Sequence, residues 1–222
     1  MGENMEHQEK EVVSLPRIGD QAPAFEAETT HGTLQLDDFK GSWVILFSHP
    51  ADFTPVCTTE FIAFQEIADD LRALNTELLG LSVDSVHSHI AWVRNVKEKM
   101  GVELTFPIIA DLNKDVAKKY GMIMPGESTT ETSRAVFVID DKQIVRAVIY
   151  YPLSTGRNMP EILRLVKGLQ TTDEKGLATP ANWEPGDKAI VPPPMTQEEA
   201  EERANDPAYE CVDWYFCKKD VD

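Results

Sequence analysis

The sequence feature that most restricts the fold is the apolar run WVILFS, from Trp43 to Ser48. Strands that are covered on both faces, as in parallel sheets flanked by helices, have near-continuous apolar sequences of this kind. Four further strand-like segments follow it, and they are ELLGLSV (77–83), TFPIIAD (105–111), AVFVID (135–140) and QIVRAVIY (143–150). The run therefore predicts a strand that is buried on both faces of a parallel sheet.

Apolar residues at helical spacing lie between or after these strands. The helices predicted in this way cover about 61–71, 90–100, 113–120 and 162–169. The resulting order, βαβαβαββα, is typical of an α/β, thioredoxin-like fold with a mostly parallel sheet. The turn-like pair Asp141-Lys142 predicts that the last two strands form an antiparallel hairpin at the sheet edge.

The composition divides the chain into three parts. Residues 1–13 are polar and acidic, which predicts a flexible N-terminal extension, and residues 14–171 form the predicted thioredoxin-like domain. Residues 172–222 contain six prolines, two cysteines and one acidic helix candidate at 196–204. Because this C-terminal arm carries few apolar residues, we expect it to have no core of its own and to pack either on the main domain or on a neighbouring subunit at a dimer interface.

The charge of the chain excludes several classes of partner. The formal net charge is −17, whereas nucleic acids and anionic membranes require clustered Lys and Arg. No apolar run is long enough to cross a bilayer, and the first residues lack the apolar segment of a signal peptide. Three cysteines are too few for a secreted disulfide scaffold, so we expect a cytoplasmic protein.

The segment SHPADFTPVCTTEF (48–61) places a cysteine where a helix should begin. Thr54 is a good N-cap residue and Pro55 suits the first helical position, so Cys57 falls in the first turn. Unpaired backbone N–H groups and the helix dipole favour a thiolate there. The alternative is a small, buried and inert cysteine, which is common in proteins.

A thiolate alone does not make a fast enzyme. The gain in thiolate from a helix start is about thirtyfold, and nucleophilicity falls as the thiol becomes more acidic. A second device must therefore activate the other reactant. A hydroxyl such as that of Thr54 and a cation such as Arg134 would suit a substrate with a weak oxygen–oxygen bond, because they can stabilise charge on the leaving oxygen.

The same segment resembles the active-site signature PxxxTxxC of the peroxiredoxins, at Pro50, Thr54 and Cys57. Together with 154–158 and LATPANWEPGD (177–187), it is similar to the 1-Cys branch, the peroxiredoxin 6 type. This resemblance covers roughly residues 16–194. It implies a thiol-specific peroxidase that reduces hydrogen peroxide and organic hydroperoxides without a cofactor.

The resemblance also implies a role for each matching residue. Cys57 would be the peroxidatic cysteine that becomes a sulfenic acid, Thr54 would bind thiolate and peroxide, and Pro50 would shield the site. The implied substrate-binding residues are Arg134, Arg157, His49 and Glu60. Each has a purely structural alternative, such as loop shaping by Pro50 or an ion pair of Arg157 with an acidic neighbour.

The two remaining cysteines, Cys211 and Cys217, lie near the C-terminus in YECVDWYFC. Some bacterial and archaeal members that resemble this chain carry such a pair, and their arm reaches the site of another subunit. The resemblance thus implies a Cys57–Cys217 disulfide between subunits, with Cys211 as the second candidate. It further implies a homodimer, a ring of dimers (decamer or dodecamer) and a thiol reductant such as thioredoxin.

Other activities fit the residues less well. The lipase-type serine motif of some 1-Cys relatives is absent around Ser42, where the sequence is KGSWV, and Asp37 stands where the partner histidine would be. His87 and His89 have no ligand set at metal-binding spacing, so we expect both at the surface and no metal. Position 54 is Thr, which argues against a Cys-x-x-Cys reductase. A redox-regulated chaperone or peroxide sensor with little turnover remains the alternative to a peroxidase.

Overall fold

The structure is a computed structural model that describes residues 15–221. The predicted extension, residues 1–13, lies outside these residues. The described chain forms two compact units, one of residues 15–65 and 76–156 and one of residues 66–75 and 157–221. No helix among the described residues is long and apolar enough to cross a membrane.

The first unit contains a seven-stranded sheet in the order β2-β1-β5-β4-β3-β6-β7. Its strands are β1 (Glu26–Thr29), β2 (Gly32–Gln35), β3 (Trp43–Ser48), β4 (Thr76–Ser82), β5 (Ile108–Ala110), β6 (Arg134–Ile139) and β7 (Val145–Tyr151). The helices of this unit are a 3₁₀ turn (Leu36–Phe39), α1 (Pro55–Glu66), α3 (Val86–Met100) and α4 (Asp115–Lys119), and a further helix, α2 (Ala68–Ala73), belongs to the second unit. The predicted α/β, thioredoxin-like fold is confirmed.

The sheet is less parallel than the sequence predicts. β3 pairs in parallel with β4, and β4 with β5, but β6 runs antiparallel to β3, and β1 runs antiparallel to β5. The short β1–β2 hairpin was not predicted, because its strands are largely exposed and carry no apolar alternation. The predicted β6–β7 hairpin is confirmed.

β3 is an interior strand of this sheet, between β4 and β6, and is buried along its whole length, as its sequence predicts. Phe47 points into an aromatic cluster, where its ring lies 5.3 Å from Phe61, 4.0 Å from Phe64 and 5.7 Å from Phe106. Gly80 makes this packing possible, since a Cβ there would lie 3.3 Å from both Phe47 and Phe61. The cluster packs α1 against the sheet and thereby fixes the position of the cysteine at the start of α1.

The second unit contains α2, α5 (Met159–Lys175), α6 (Gln197–Asn205) and a small sheet of β8 (Ala189–Ile190), β10 (Phe216–Lys219) and β9 (Glu210–Asp213). The acidic helix candidate is α6, and Thr196 and Glu199 form its capping box. The expectation that the arm has no core of its own is wrong, although the core that it forms is small. Its hairpin and flanking segments enclose a small cluster of Leu177, Ala189, Val191 and Cys217.

Candidate active site

Cys57 occupies the first turn of α1 and is fully buried. The backbone N–H of Thr58 donates to the carbonyl of Thr54 at 3.0 Å, so Thr54 precedes the helix as the sequence predicts. The Thr54 hydroxyl donates to the carbonyl of Ala51 at 2.8 Å. This bond occupies its proton and leaves the oxygen lone pairs as acceptors beside the first turn.

Arg134 begins β6 and reaches the cysteine. Its Nη1 lies 3.4 Å from Sγ of Cys57 and 2.7 Å from Oε2 of Glu60. Its Nε and Nη2 donate to the carbonyl of Leu153 at 2.9 and 2.7 Å. Because the guanidinium is planar, these bonds fix its orientation and leave one edge directed at the sulfur.

The ion pair of Arg134 and Glu60 is buried, with 3% and 2% of the side chains exposed. A buried guanidinium needs such a partner, since an isolated charge in the interior is very costly. Glu60 lies three residues after Cys57 on α1, which brings the carboxylate and the sulfur to the same face of the helix. The carboxylate therefore holds Arg134 beside the sulfur.

The loop between β3 and α1 is tied to the segment before β6. The hydroxyl of Ser48 donates to the carbonyl of Ser133 at 2.6 Å and accepts the N–H of Ala135 at 3.1 Å. The hydroxyl of Thr132 donates to the carbonyl of His49 at 2.6 Å. Pro50, which follows His49, is buried. These bonds fix the end of β3, which leads to Cys57, relative to the start of β6, which carries Arg134.

His49 is fully buried and contacts Asp52 through Nε2 at 3.0 Å. Asp52 also contacts Nδ1 of His89 at 2.9 Å. Burial is the main cause that lowers the pKa of His49, against the opposing effect of Asp52. For Asp52, burial raises the pKa, but the hydrogen bonds from both imidazoles outweigh it and the net pKa is lowered.

The expectation that His89 lies at the surface is wrong, whereas His87 is exposed as expected. His89 is fully buried because it shares a face of α3 with Trp92 and Val96, three and seven residues further on. That spacing was the available signal. Sequence reasoning also missed Asp52 and the carbonyl of Leu153, whose roles depend on contacts across the fold.

The remaining predicted site residues lie in the second unit. Arg157 is buried and immediately precedes Asn158, whose side chain caps α5. Cys211 and Cys217 face each other across the β9–β10 hairpin and form a disulfide within the chain. Cys57 is a free thiol. The predicted bond between Cys57 and Cys217 of another subunit stays a prediction.

A thioredoxin-like fold with a cysteine in the first turn of a helix, next to an arginine, is typical of thiol-dependent oxidoreductases. Comparison with known proteins narrows this class. Residues 18–148 match the AhpC/TSA family, and residues 168–206 match the C-terminal domain of 1-Cys peroxiredoxin. The chain belongs to the peroxiredoxins and is a thiol-dependent peroxidase.

Individual relatives agree with this assignment. A peroxiredoxin of Aquifex aeolicus is 62% identical over 222 residues, which cover 95% of this chain and all of that protein. The structure of a yeast mitochondrial 1-Cys peroxiredoxin matches with a TM-score of 0.83 and 40% identity, over 93% of this chain and all of the other. A serine-for-cysteine mutant of peroxiredoxin 6 from Arenicola marina matches with a TM-score of 0.82 and 39% identity, over 93% and 98%.

Proposed function

We propose that Cys57 is the peroxidatic cysteine and that it reduces hydrogen peroxide and organic hydroperoxides to water and alcohols. The observation that carries this proposal is the contact of Arg134 Nη1 with Cys57 Sγ at 3.4 Å. The same nitrogen forms the buried ion pair with Glu60. The sulfur attacks one peroxide oxygen, the oxygen–oxygen bond breaks, and the leaving oxygen takes a proton. Cys57 becomes a sulfenic acid.

The other site residues divide the remaining tasks. Arg134 stabilises negative charge on the sulfur before attack and on the oxygen that leaves. Thr54 contributes lone pairs to the bound peroxide, and Pro50 keeps bulk water from the sulfur. Glu60 holds Arg134 in place, and His49 lines the pocket. We also assign Arg157 to substrate binding, on the basis of the family resemblance.

We further propose that the sulfenic acid is resolved by Cys217 of a second subunit. Its thiol displaces water and forms a Cys57–Cys217 disulfide. Cys211 then attacks the sulfur of Cys217, which releases the Cys57 thiolate and leaves a Cys211–Cys217 disulfide. The disulfide between these two residues in the structure supports this last step. A dithiol reductant such as thioredoxin would reduce it and complete the cycle.

This cycle requires at least a homodimer, and we propose a ring of dimers (decamer or dodecamer) in the cytoplasm. Peptide-mapping mass spectrometry tests it on the fully reduced protein after one equivalent of hydrogen peroxide without reductant. A Cys57–Cys217 or Cys211–Cys217 crosslink supports the cycle. Cys57 as a sulfenic or sulfinic acid with both tail thiols free would contradict it and indicate a 1-Cys enzyme that uses an external thiol.

Turnover separates a peroxidase from a peroxide sensor or chaperone. With thioredoxin and its reductase, we expect many equivalents of peroxide consumed per subunit, and Cys57→Ser should abolish this consumption. A wild-type protein that stops after one equivalent would act as a sensor. A Cys57→Ser variant that is as fast as the wild type would contradict the assignment of Cys57.

A further inference from the structure

His49, Asp52 and His89 form a cluster of titratable side chains in the interior of the first unit. Their exposed fractions are 0%, 7% and 0%. Asp52 Oδ1 lies 3.0 Å from Nε2 of His49 and 3.0 Å from Nδ1 of His89, and Oδ2 lies 2.9 Å from the same Nδ1. The carboxylate thus bridges the two imidazoles. The peroxidase steps above give no role to Asp52 or His89.

The hydrogen-bond partners of His89 determine where its protons are. Nε2 lies 3.1 Å from the carbonyl of Ile109, which can only accept, so Nε2 carries a proton. Nδ1 faces the Asp52 carboxylate, so one further proton is shared between these two groups. His89 and Asp52 together are therefore a neutral pair that needs no other counter-charge in the interior.

The protons of His49 are arranged differently from those of His89, because only one of its ring nitrogens faces an acceptor. Its Nε2 faces the carboxylate that His89 holds in place, so the proton of the neutral ring lies on Nε2. Its Nδ1 is buried and has no hydrogen-bond partner among the described residues. Buried polar atoms are nearly always satisfied, and an unsatisfied one in a native structure calls for an explanation, such as a bound water, a ligand or a role in the reaction.

Two observations place His49 near the elements that carry the cysteine and the arginine. Its ring contacts Phe61 at a centroid distance of 4.7 Å, and Phe61 is one turn after Cys57 on the same face of α1. The hydroxyl of the preceding residue, Ser48, accepts a hydrogen bond from the N–H of Ala135, which directly follows Arg134. His49 thus lies at the end of β3 where both the sulfur and the guanidinium are close in the fold.

We propose that Asp52 and His89 are positioning residues of the peroxidase, which hold His49 with its proton on Nε2 so that Nδ1 serves as a hydrogen-bond acceptor in the Cys57 pocket. Hydrogen peroxide carries two O–H donors, of which the Thr54 oxygen can accept one, and Arg134 can only donate, so one O–H still needs an acceptor. Nδ1 accepts this O–H and orients the peroxide. The inference rests on the proposed role of Cys57 and assigns two residues beyond it.

The tautomer of His49 can be measured on the wild-type protein itself. With ¹⁵N-labelled histidine, NMR of the reduced protein should show His49 with a protonated Nε2 and an unprotonated Nδ1 at neutral pH. A proton on Nδ1 would overturn the proposal. So would one equivalent of a bound metal in the purified protein, because the three ligand atoms lie within 4.8 Å of one another and a metal would replace the shared proton.

Variants then connect the tautomer to the reaction. We expect Asp52→Ala and His89→Gln to slow single-turnover oxidation of Cys57 by a factor on the order of 10 to 100, the range found when partners that orient a metal-ligating histidine are mutated. Both should also abolish the single His49 tautomer. His87→Gln, an exposed position on the same helix, is the matched control and should leave both readouts unchanged.

Asp52→Asn separates hydrogen bonding from charge. Its oxygen can accept from His49 and its amide can donate to a neutral His89, so it should keep the tautomer and lose less rate than Asp52→Ala. Asp52→Ala and His89→Gln that react as fast as an active wild type would overturn the positioning role. If Asp52→Ala does not fold, His89→Gln and the wild-type spectrum still decide. A wild type without peroxidase activity would instead overturn the proposed role of Cys57.

Discussion

Nη1 of Arg134 is shared between Sγ of Cys57, at 3.4 Å, and the carboxylate of Glu60, at 2.7 Å. One guanidinium nitrogen therefore couples the nucleophile to a buried counter-ion. The other two guanidinium nitrogens, Nε and Nη2, donate to the carbonyl of Leu153. This division prevents the arginine from turning entirely toward Glu60, which would leave the sulfur without a cation.

Arg134→Lys should slow the reaction of Cys57 with peroxide strongly. A lysine ammonium is a single point donor and cannot hold Leu153, Glu60 and the sulfur in one fixed plane. We expect a fall of about 10²- to 10³-fold in the second-order rate constant, comparable to the loss of one preorganised donor in other enzymes. Stopped-flow oxidation of the reduced protein measures it.

The control for this variant is Arg17→Lys, at an exposed arginine that pairs with Asp20. It should react at the wild-type rate. An Arg134→Lys protein that also reacts at that rate would show that the charge alone is sufficient and that the fixed plane of the guanidinium has no effect.

Glu60→Gln should destabilise the protein. The amide keeps an acceptor for Arg134, but the buried guanidinium loses its counter-charge. Breaking a buried ion pair in this way costs about 3–5 kcal/mol. Urea unfolding of the reduced protein should show this loss, while Glu66→Gln, at an exposed position on the same helix, should not. Equal stability of both variants would show that the buried guanidinium of Arg134 does not depend on Glu60 for its counter-charge.

Much of this site could be predicted from the sequence because its signals are local. Thr54, Pro55 and Cys57 lie within four residues, and capping preferences alone place the cysteine in a first helical turn. The continuous apolar run of β3 likewise predicts a strand buried on both faces. Arg134 lies 77 residues from Cys57 in the chain, and both its place at the start of a predicted strand and the family resemblance make it a candidate site residue.

The rest depends on contacts that no local pattern encodes. Asp52 could be taken for an ordinary loop residue, and its role appears only when α3 brings His89 against it. The antiparallel β1–β2 hairpin is mostly exposed and has no periodic apolar signal. The sheet order places β1 next to β5, a pairing of distant segments that periodicity does not predict.

Gly80→Ala should destabilise the first unit by overpacking. A Cβ at this position would lie 3.3 Å from the rings of Phe47 and Phe61, and both rings are confined by the aromatic cluster. Inserting a methyl group into such a core costs about 1–3 kcal/mol. Gly126→Ala is the matched control, since its Cβ would meet no atom within 4 Å. The urea concentration at the unfolding midpoint should therefore be lower for Gly80→Ala than for Gly126→Ala.

The pH dependence of stability should report on His49. Burial lowers the folded-state pKa of His49 below its ordinary 6.5, so the unfolded chain binds a proton more readily. Stability is then fully present above about pH 6.5 and is lost as the pH falls toward the folded-state pKa, by at most about 1.4 kcal/mol per pH unit. Urea unfolding at a series of pH values between 7.5 and 5 measures this slope.

His49→Gln is the test variant, because glutamine can still donate to Asp52 but does not titrate. It should reduce the slope between pH 7 and 5.5, whereas His31→Gln, at an exposed histidine, should leave it unchanged. A slope that is identical in His49→Gln would show that another group is responsible for the acid destabilisation.

Cys211→Ser should trap the intermediate of the proposed cycle. Without Cys211, the Cys57–Cys217 disulfide cannot pass to the Cys211–Cys217 pair that the structure contains. One equivalent of peroxide should then give a covalent dimer on a non-reducing gel, which the wild type resolves to monomer as the tail disulfide forms. Cys217→Ser should give less of this dimer, because the first resolving thiol is missing. If Cys211→Ser stays monomeric and Cys217→Ser dimerises, the two tail cysteines have exchanged roles.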